Sequence, residues 1–349
     1  MKQTAEDKVP LLSNSDQQQR EEMEGQGDIE KGVLAEPKNP FSPLAWKSLL
    51  GLGVFIYASY TILVHLCEVD GKLPFSTASM VLSIEVLKIT ISITALLPEI
   101  KENGFPRPTL SYVMLFAVPA ILYALNNNIS AHMQLQMDPA TYQVLGNLKI
   151  LSTAFLYRLI IKRPITGVQW VSLGLLATAG ICNSYGGFQA KADEKSAGEI
   201  HITMKGLIMI SIYCFISGLA GVYTEYILKR HYQTSIHLQN TLLYTFGIVL
   251  NGSAFVIQAL TSGDKDAGFN PFHGYTIYTV LLIMSQAFCG LLMSAIFKHG
   301  NNITRLFIIS CAMLVTTVLS IVIFGLKLNL FFCASFGLVI SALVLYHRT

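Results

Sequence analysis

Residues Tyr123–Lys149 read YALNNNISAHMQLQMDPATYQVLGNLK, the most polar stretch in two otherwise apolar segments. Asn126, Asn127 and Asn128 fall in the first segment, and Gln143, Asn147 and Lys149 in the second. If the second segment is a membrane helix starting at Pro139, Lys149 lies about 15 Å along its axis at 1.5 Å per residue. That is near the middle of a hydrocarbon core about 30 Å thick. A lysine at that depth costs about 2.5–3.5 kcal/mol on insertion scales, so it is expected to face a protein-lined cavity and to have a partner there. The remaining apolar segments are then the wall of that cavity.

The bulk composition agrees. Of 349 residues, 52% are apolar and only 13% charged, and the mean hydropathy is +0.51. A soluble domain carries about 25% charged residues. The first 45 residues are rich in Gln, Glu, Asp and Lys with little to bury, so a disordered cytosolic tail is expected there. Beyond it, ten apolar segments are bounded by turn or charge signals, near 47–66, 75–98, 110–132, 139–160, 166–187, 204–228, 237–259, 275–297, 302–324 and 327–346. The polar, acidic start shows no cleavable signal peptide, so the first span is expected to act as the targeting signal. Five of the six cysteines lie inside apolar segments and Cys67 at the end of one. No disulfide framework or zinc-ligand spacing is present. The cysteines read as small buried apolar residues.

Loops after even-numbered spans hold Lys101, Arg107, Arg158, Lys162, Arg163, Lys229, Arg230 and Lys298, eight cations against five (Lys72, Lys191, Lys195, Lys265, Lys327) after odd-numbered ones. The positive-inside rule then puts both termini in the cytosol. Three glycosylation-like triplets begin at Asn128, Asn251 and Asn302, each within or at the edge of a span, where chance explains them better than modification. An acidic-dileucine pattern ends at Leu11 and Leu12. Ten spans divide into residues 46–190 and 191–349, and five helices per half force a duplicated half to insert with opposite topology.

The intramembrane charges are few. Glu85 and Lys88, three apart on one helix face, read as a mutually neutralising pair with Lys88 bordering the pathway. Glu225 and Lys229 have the spacing of a structural ion pair. Lys149 has no carboxylate in helical reach, and Arg305 lies one turn into the ninth span. Together these two suit a phosphate clamp, a point charge beside a bidentate fork. Buried Asn and Gln amides suit a base edge or sugar hydroxyls. Tyr123, Tyr142, Tyr223 and Tyr244 offer stacking faces and hydroxyls.

Several blocks resemble the nucleotide-sugar transporters of solute carrier family 35, subfamily A, relatives of the CMP-sialic acid and UDP-galactose carriers. They are Phe75–Ala78 (FSTA) with Glu85–Lys88 (EVLK), Tyr123–Asn128 (YALNNN) and Asp138–Ile150 (DPATYQVLGNLKI). Ser217–Lys229 (SGLAGVYTEYILK), Leu238–Asn240 with Tyr244, and Gly290–Arg305 (GLLMSAIFKHGNNITR) complete the series. They run in order over residues 46–346.

The resemblance implies an all-α integral membrane protein with ten transmembrane helices in two inverted five-helix repeats, of the drug/metabolite-transporter type. It implies a Golgi membrane and exchange of a cytosolic nucleotide sugar for a lumenal nucleoside monophosphate, with no cofactor, no metal and no nucleic acid. It also implies self-association or association with other nucleotide-sugar carriers. By the same resemblance Tyr123, Asn126 and Asn127 meet base and ribose, Lys149, Tyr244, Ser294 and Arg305 surround the phosphate, and Lys88 borders the sugar. Tyr142 and Asn147 complete the candidate site. Asn126 and Asn147 stand where relatives have Gln, Phe246 where they have Ser, Met293 Thr and Arg305 Lys, so the usual sugars do not carry over. UDP-, CMP- and CDP-linked cargoes, CDP-ribitol among them, stay open. Two alternatives stand beside a carrier. One is a non-transporting scaffold for another carrier. The other is a lumenal transferase built on Asp264–Asp266 (DKD), whose loop is too short for a nucleotide-binding domain.

Overall fold

The computed structural model describes residues 40–69, 73–133, 139–192, 204–261, 270–324 and 330–348. The dileucine pattern, the Asp264–Asp266 triplet, Gln134, Gln136, Asp138 and Lys72, Lys195, Lys265 and Lys327 lie outside the described residues, as does all but the end of the polar tail.

Among the described residues the fold consists of helices. They are α1 (Pro43–Cys67), α2 (Thr77–Asn103), α3 (Leu110–Leu115), α4 (Ala117–Met133), α5 (Pro139–Gly146) and α6 (Lys149–Ile160). Then follow α7 (Gly167–Ala192), α8 (Met204–Arg230), α9 (Ile236–Thr261), α10 (Ile277–His299), α11 (Asn302–Phe324) and α12 (Leu330–His347). Eight stretches are long and apolar enough to cross a membrane, and one of them runs through α3 and α4. The fourth expected span is divided between α5 and α6, and the fifth, α7, is not among the eight.

The helix boundaries follow local chemistry. Ser42 and Ser76 accept from the backbone N–H groups of Ala45 and Ser79, each 3.3 Å away, and Pro43 fills the first turn of α1 without a wasted donor. Thr276 and Thr279 form a capping box at α10. The third span breaks at Phe116 because Pro119, three residues on, has no N–H to give and its ring crowds the carbonyl of Leu115. The fourth breaks at Asn147–Leu148, where the backbone N–H groups donate to the carbonyls three residues back, to Val144 at 3.3 Å and Leu145 at 3.0 Å.

The helices pack in a reciprocal pattern. α1 lies against α10 and α11, and α8 lies against α4 and α6. α2 packs on α9, and α7 on α12. The largest buried cluster joins Ile150, Ala154 and Leu156 of α6 to Leu173 and Leu176 of α7, Ile303 and Phe307 of α11 and Val339 of α12. Leu52, Phe55, Phe155, Val249 and Val322 point outward, the surface expected of a chain solvated by lipid.

Candidate functional site

A cavity of about 320 Å³ lies between the helices, within the range of small-molecule sites. The α4 residues Ala120, Tyr123, Ala124 and Asn127, spaced three and four apart on one face, form one wall. α2 contributes Glu85 and Lys88, α9 Tyr244 and Asn251, and α10 Gln286, Met293 and Ser294. Thr224 of α8, Arg305 of α11 and Tyr57 of α1 also line it.

The polar groups in this wall are already connected to one another. Lys88 Nζ is 2.6 Å from Glu85 Oε1, both side chains being mostly buried. The same ammonium lies 4.2 Å from the centre of the Tyr244 ring, a cation–π contact. The Tyr244 hydroxyl is 3.3 Å from Ser294 Oγ, which in turn donates to the Gly290 carbonyl at 3.3 Å. Asn251 Nδ2 donates to the Gly247 carbonyl at 2.8 Å. The Glu85–Lys88 pair fits because glycines face it: a Cβ at Gly247 would lie 2.6 Å from Glu85 Oε2, and one at Gly290 2.9 Å from Lys88 Cδ.

Arg305 is different. Its guanidinium lies 5.4 Å from the centre of the Phe297 ring, and a Cβ at Gly221 would lie 3.1 Å from one of its NH groups. Among the described residues no carboxylate forms an ion pair with it. It is thus a cation at the cavity wall with no ion-pair partner among the described residues.

Of the ten residues expected at the site, Lys88, Tyr123, Asn127, Tyr244, Ser294 and Arg305 line this cavity, while Asn126, Tyr142, Asn147 and Lys149 do not. Asn126 Oδ1 is buried without a hydrogen-bond partner among the described residues. Tyr142 packs on Tyr213 with ring centres 5.8 Å apart, in a cluster with Ile210 and Cys214. Asn147 donates to Ser184 Oγ at 3.1 Å and is pressed against Gly180. Lys149, the first residue of α6, is near enough to Arg305 for the two cations to repel, but it is not among the cavity-lining residues.

Glu85, Tyr57, Thr224, Asn251 and Gln286 line the cavity without having been singled out for it. Asn251 and Gln286 carried a signal, as carboxamides inside apolar spans. Asn251 of the triplet pattern is a cavity residue, and Asn302 is fully buried. Of the two departures toward apolar side chains, Met293 lines the cavity, whereas Phe246 packs with Phe116, Ile227, Leu228 and Phe297. Glu225 and Lys229 are paired as their spacing implied, at 2.7 Å. No group of three or more metal-ligating side chains occurs among the described residues.

Comparison with known proteins places this geometry in context. The family described as nucleotide-sugar transporter matches residues 43–347. The chain is 40% identical over 306 residues to a Xenopus tropicalis protein named probable UDP-sugar transporter protein SLC35A4, covering 87% of this chain and 92% of that one. The proteins of the same name from Danio rerio and Homo sapiens are 41% and 39% identical, covering 89% and 86% of this chain and 96% and 94% of their own lengths. A crystal structure of a protein 10% identical superposes with a TM-score of 0.62 over 85% of this chain and 94% of that chain, a likeness of fold.

Proposed function

Because this chain belongs to the nucleotide-sugar transporters, a family that moves its substrates without transforming them, we propose that it is an antiporter. It exchanges a cytosolic nucleotide sugar for a lumenal nucleoside monophosphate across the Golgi membrane. The observation that carries the reading is Arg305, a guanidinium at a ligand-sized cavity with no carboxylate paired to it among the described residues. Such a fork is matched to phosphate oxygens. The named relatives favour a UDP-linked sugar. Met293 in the lining, where relatives have Thr, means that the usual sugars cannot be assumed, so CMP- and CDP-linked cargoes, CDP-ribitol included, belong in the test panel beside UDP-linked ones.

The cavity divides the work. Tyr123 and Asn127 offer a ring face and a carboxamide to base and ribose, and Arg305 with Ser294 and Tyr244 receives the phosphates. Lys88 lies toward the sugar end. It does not act as a bare cation, because Glu85 already neutralises it; the pair presents both a donor and an acceptor to hydroxyls. Lys149, within electrostatic reach of Arg305, adds to the positive potential that draws the phosphates.

Alternating access requires two halves that rock about this site. The packing supports ten spans in two inverted repeats. Exchanging each helix with the one five spans away converts the contacts of α1 with α10 and α11 into those of α8 with α4 and α6. The pairs α2–α9 and α7–α12 map onto themselves. A duplication of five spans accounts for this correspondence, and an odd number of spans per half makes the second half insert with opposite topology.

The test is uptake of labelled nucleotide sugars into liposomes that contain the purified chain. Uptake of at least one cargo should rise when the liposomes are preloaded with UMP or CMP. A folded protein that takes up none of the panel would favour the scaffold reading.

A further inference from the structure

Glu225 is completely buried, and both of its carboxylate oxygens are occupied. Oε1 accepts from Lys229 Nζ at 2.7 Å, one turn along α8. Oε2 accepts from the backbone N–H of Asn302 at 2.7 Å, across the interface in α11. Asn302 is the first residue of α11, and Arg305 follows three residues later. Gly221, Thr224 and Glu225 lie three and four apart on one face of α8. The guanidinium of Arg305 rests over Gly221, and Thr224 lines the cavity beside it.

From this arrangement we propose that Glu225 is the positioning residue for Arg305, and that Lys229 keeps the two from pairing. This rests on the reading of Arg305 as a phosphate-binding group. Hydrogen bonding within α11 does not require Glu225, because Asn301 caps that helix through its own side chain, accepting from Thr304 N at 2.8 Å. What Glu225 adds is a bond from another helix to the α11 terminus, which holds α11 in one register against α8. A slip of one helical turn would carry Arg305 about 5.4 Å along the axis, out of reach of a ligand held by α4 and α9.

The charges fit the same reading. A carboxylate one turn from a guanidinium would ordinarily seek it, and a phosphate would then have to displace it. Lys229 occupies the oxygen that would do so. The Asn302 carboxamide shares the gap over Gly221, yet among the described residues neither its nitrogen nor its oxygen has a hydrogen-bond partner. The guanidinium packs near the Phe297 ring and over Gly221.

The experiment compares binding of UMP and CMP with binding of uridine and cytidine, by thermal shift of the detergent-solubilised full chain. Two variants are used. Glu225→Gln keeps an acceptor for the Asn302 N–H. Glu225→Leu combined with Lys229→Met removes the buried pair as a unit, a replacement that buried ion pairs often tolerate. Glu225→Gln should bind the better monophosphate within about threefold of the wild type. The double variant should lose about tenfold in monophosphate affinity with nucleoside binding unchanged. A folded double variant with wild-type monophosphate affinity would overturn the proposal, as would equal losses for nucleotide and nucleoside. If the wild-type chain itself binds monophosphate no better than nucleoside, the reading of Arg305 as a phosphate group has failed, independently of Glu225.

Discussion

Gly247 and Gly290 let an ion pair stand in the cavity wall without prising the helices apart. Gly247→Ala would bring a methyl group within 2.6 Å of Glu85 Oε2, so the pair or the α2–α9 interface must shift. A loss of about 1–3 kcal/mol is expected for overpacking of this kind, read as a lower thermal midpoint of the solubilised protein. His231 tests the turn between α8 and α9. Its ring packs on Tyr112, with centres 4.6 Å apart. Burial first, and the charge of Arg230 second, hold its pKa below the ordinary 6.5. The neutral form is therefore the folded form. The stability it contributes is complete above about pH 6.5 and is lost as pH falls through the lowered value. The thermal midpoint should drop more steeply between pH 6.5 and 5.5 in the wild type than in His231→Gln. At this scale the sequence was only partly legible. Asn126 and Asn127 are equivalent as letters, but neighbours on a helix point about 100° apart, and only the partner helices decide that Asn127 faces the cavity. Glu85 was legible as half of an ion pair, but not as part of the lining.

Among the elements, α11 bears most directly on the site, because its first turn carries Arg305. Asn301 accepts from both the backbone N–H and the hydroxyl of Thr304, at 2.8 and 2.9 Å. Asn301→Ala should therefore cost about 0.5–2 kcal/mol, the usual price of a lost N-cap, again measured by thermal unfolding. The boundaries of the long helices could be read from hydropathy and from their capping residues. The break at Phe116 was also visible in principle, since Pro119 cannot continue the hydrogen-bond ladder. The break at Asn147–Leu148 was not, because no proline marks it. It makes Lys149 the start of a new helix rather than the midpoint of an unbroken one. Depth follows from counting residues, whereas the direction of a side chain depends on where the helix restarts.

Across the whole molecule, the proposed inverted repeat predicts which loops share a compartment. In a background without the native cysteines, Arg107→Cys, in the exposed loop before α3, should react with an impermeant thiol reagent from the cytosolic side only. Asn270→Cys, exposed before α10, should react only from the opposite side. Labelling of both from one side would contradict the topology. The reciprocal packing of α1 and α8 could not have been read from composition. It emerges only once each helix is seen against its neighbours. The central claim is tested most directly by the nucleotide-sugar concentration that half-saturates exchange, compared between wild type, Arg305→Lys and Arg305→Ala. Loss of a charged hydrogen-bonding group predicts a rise of roughly ten- to a hundredfold in Arg305→Ala, with Arg305→Lys close to wild type. An unchanged half-saturating concentration in a folded Arg305→Ala protein would contradict it.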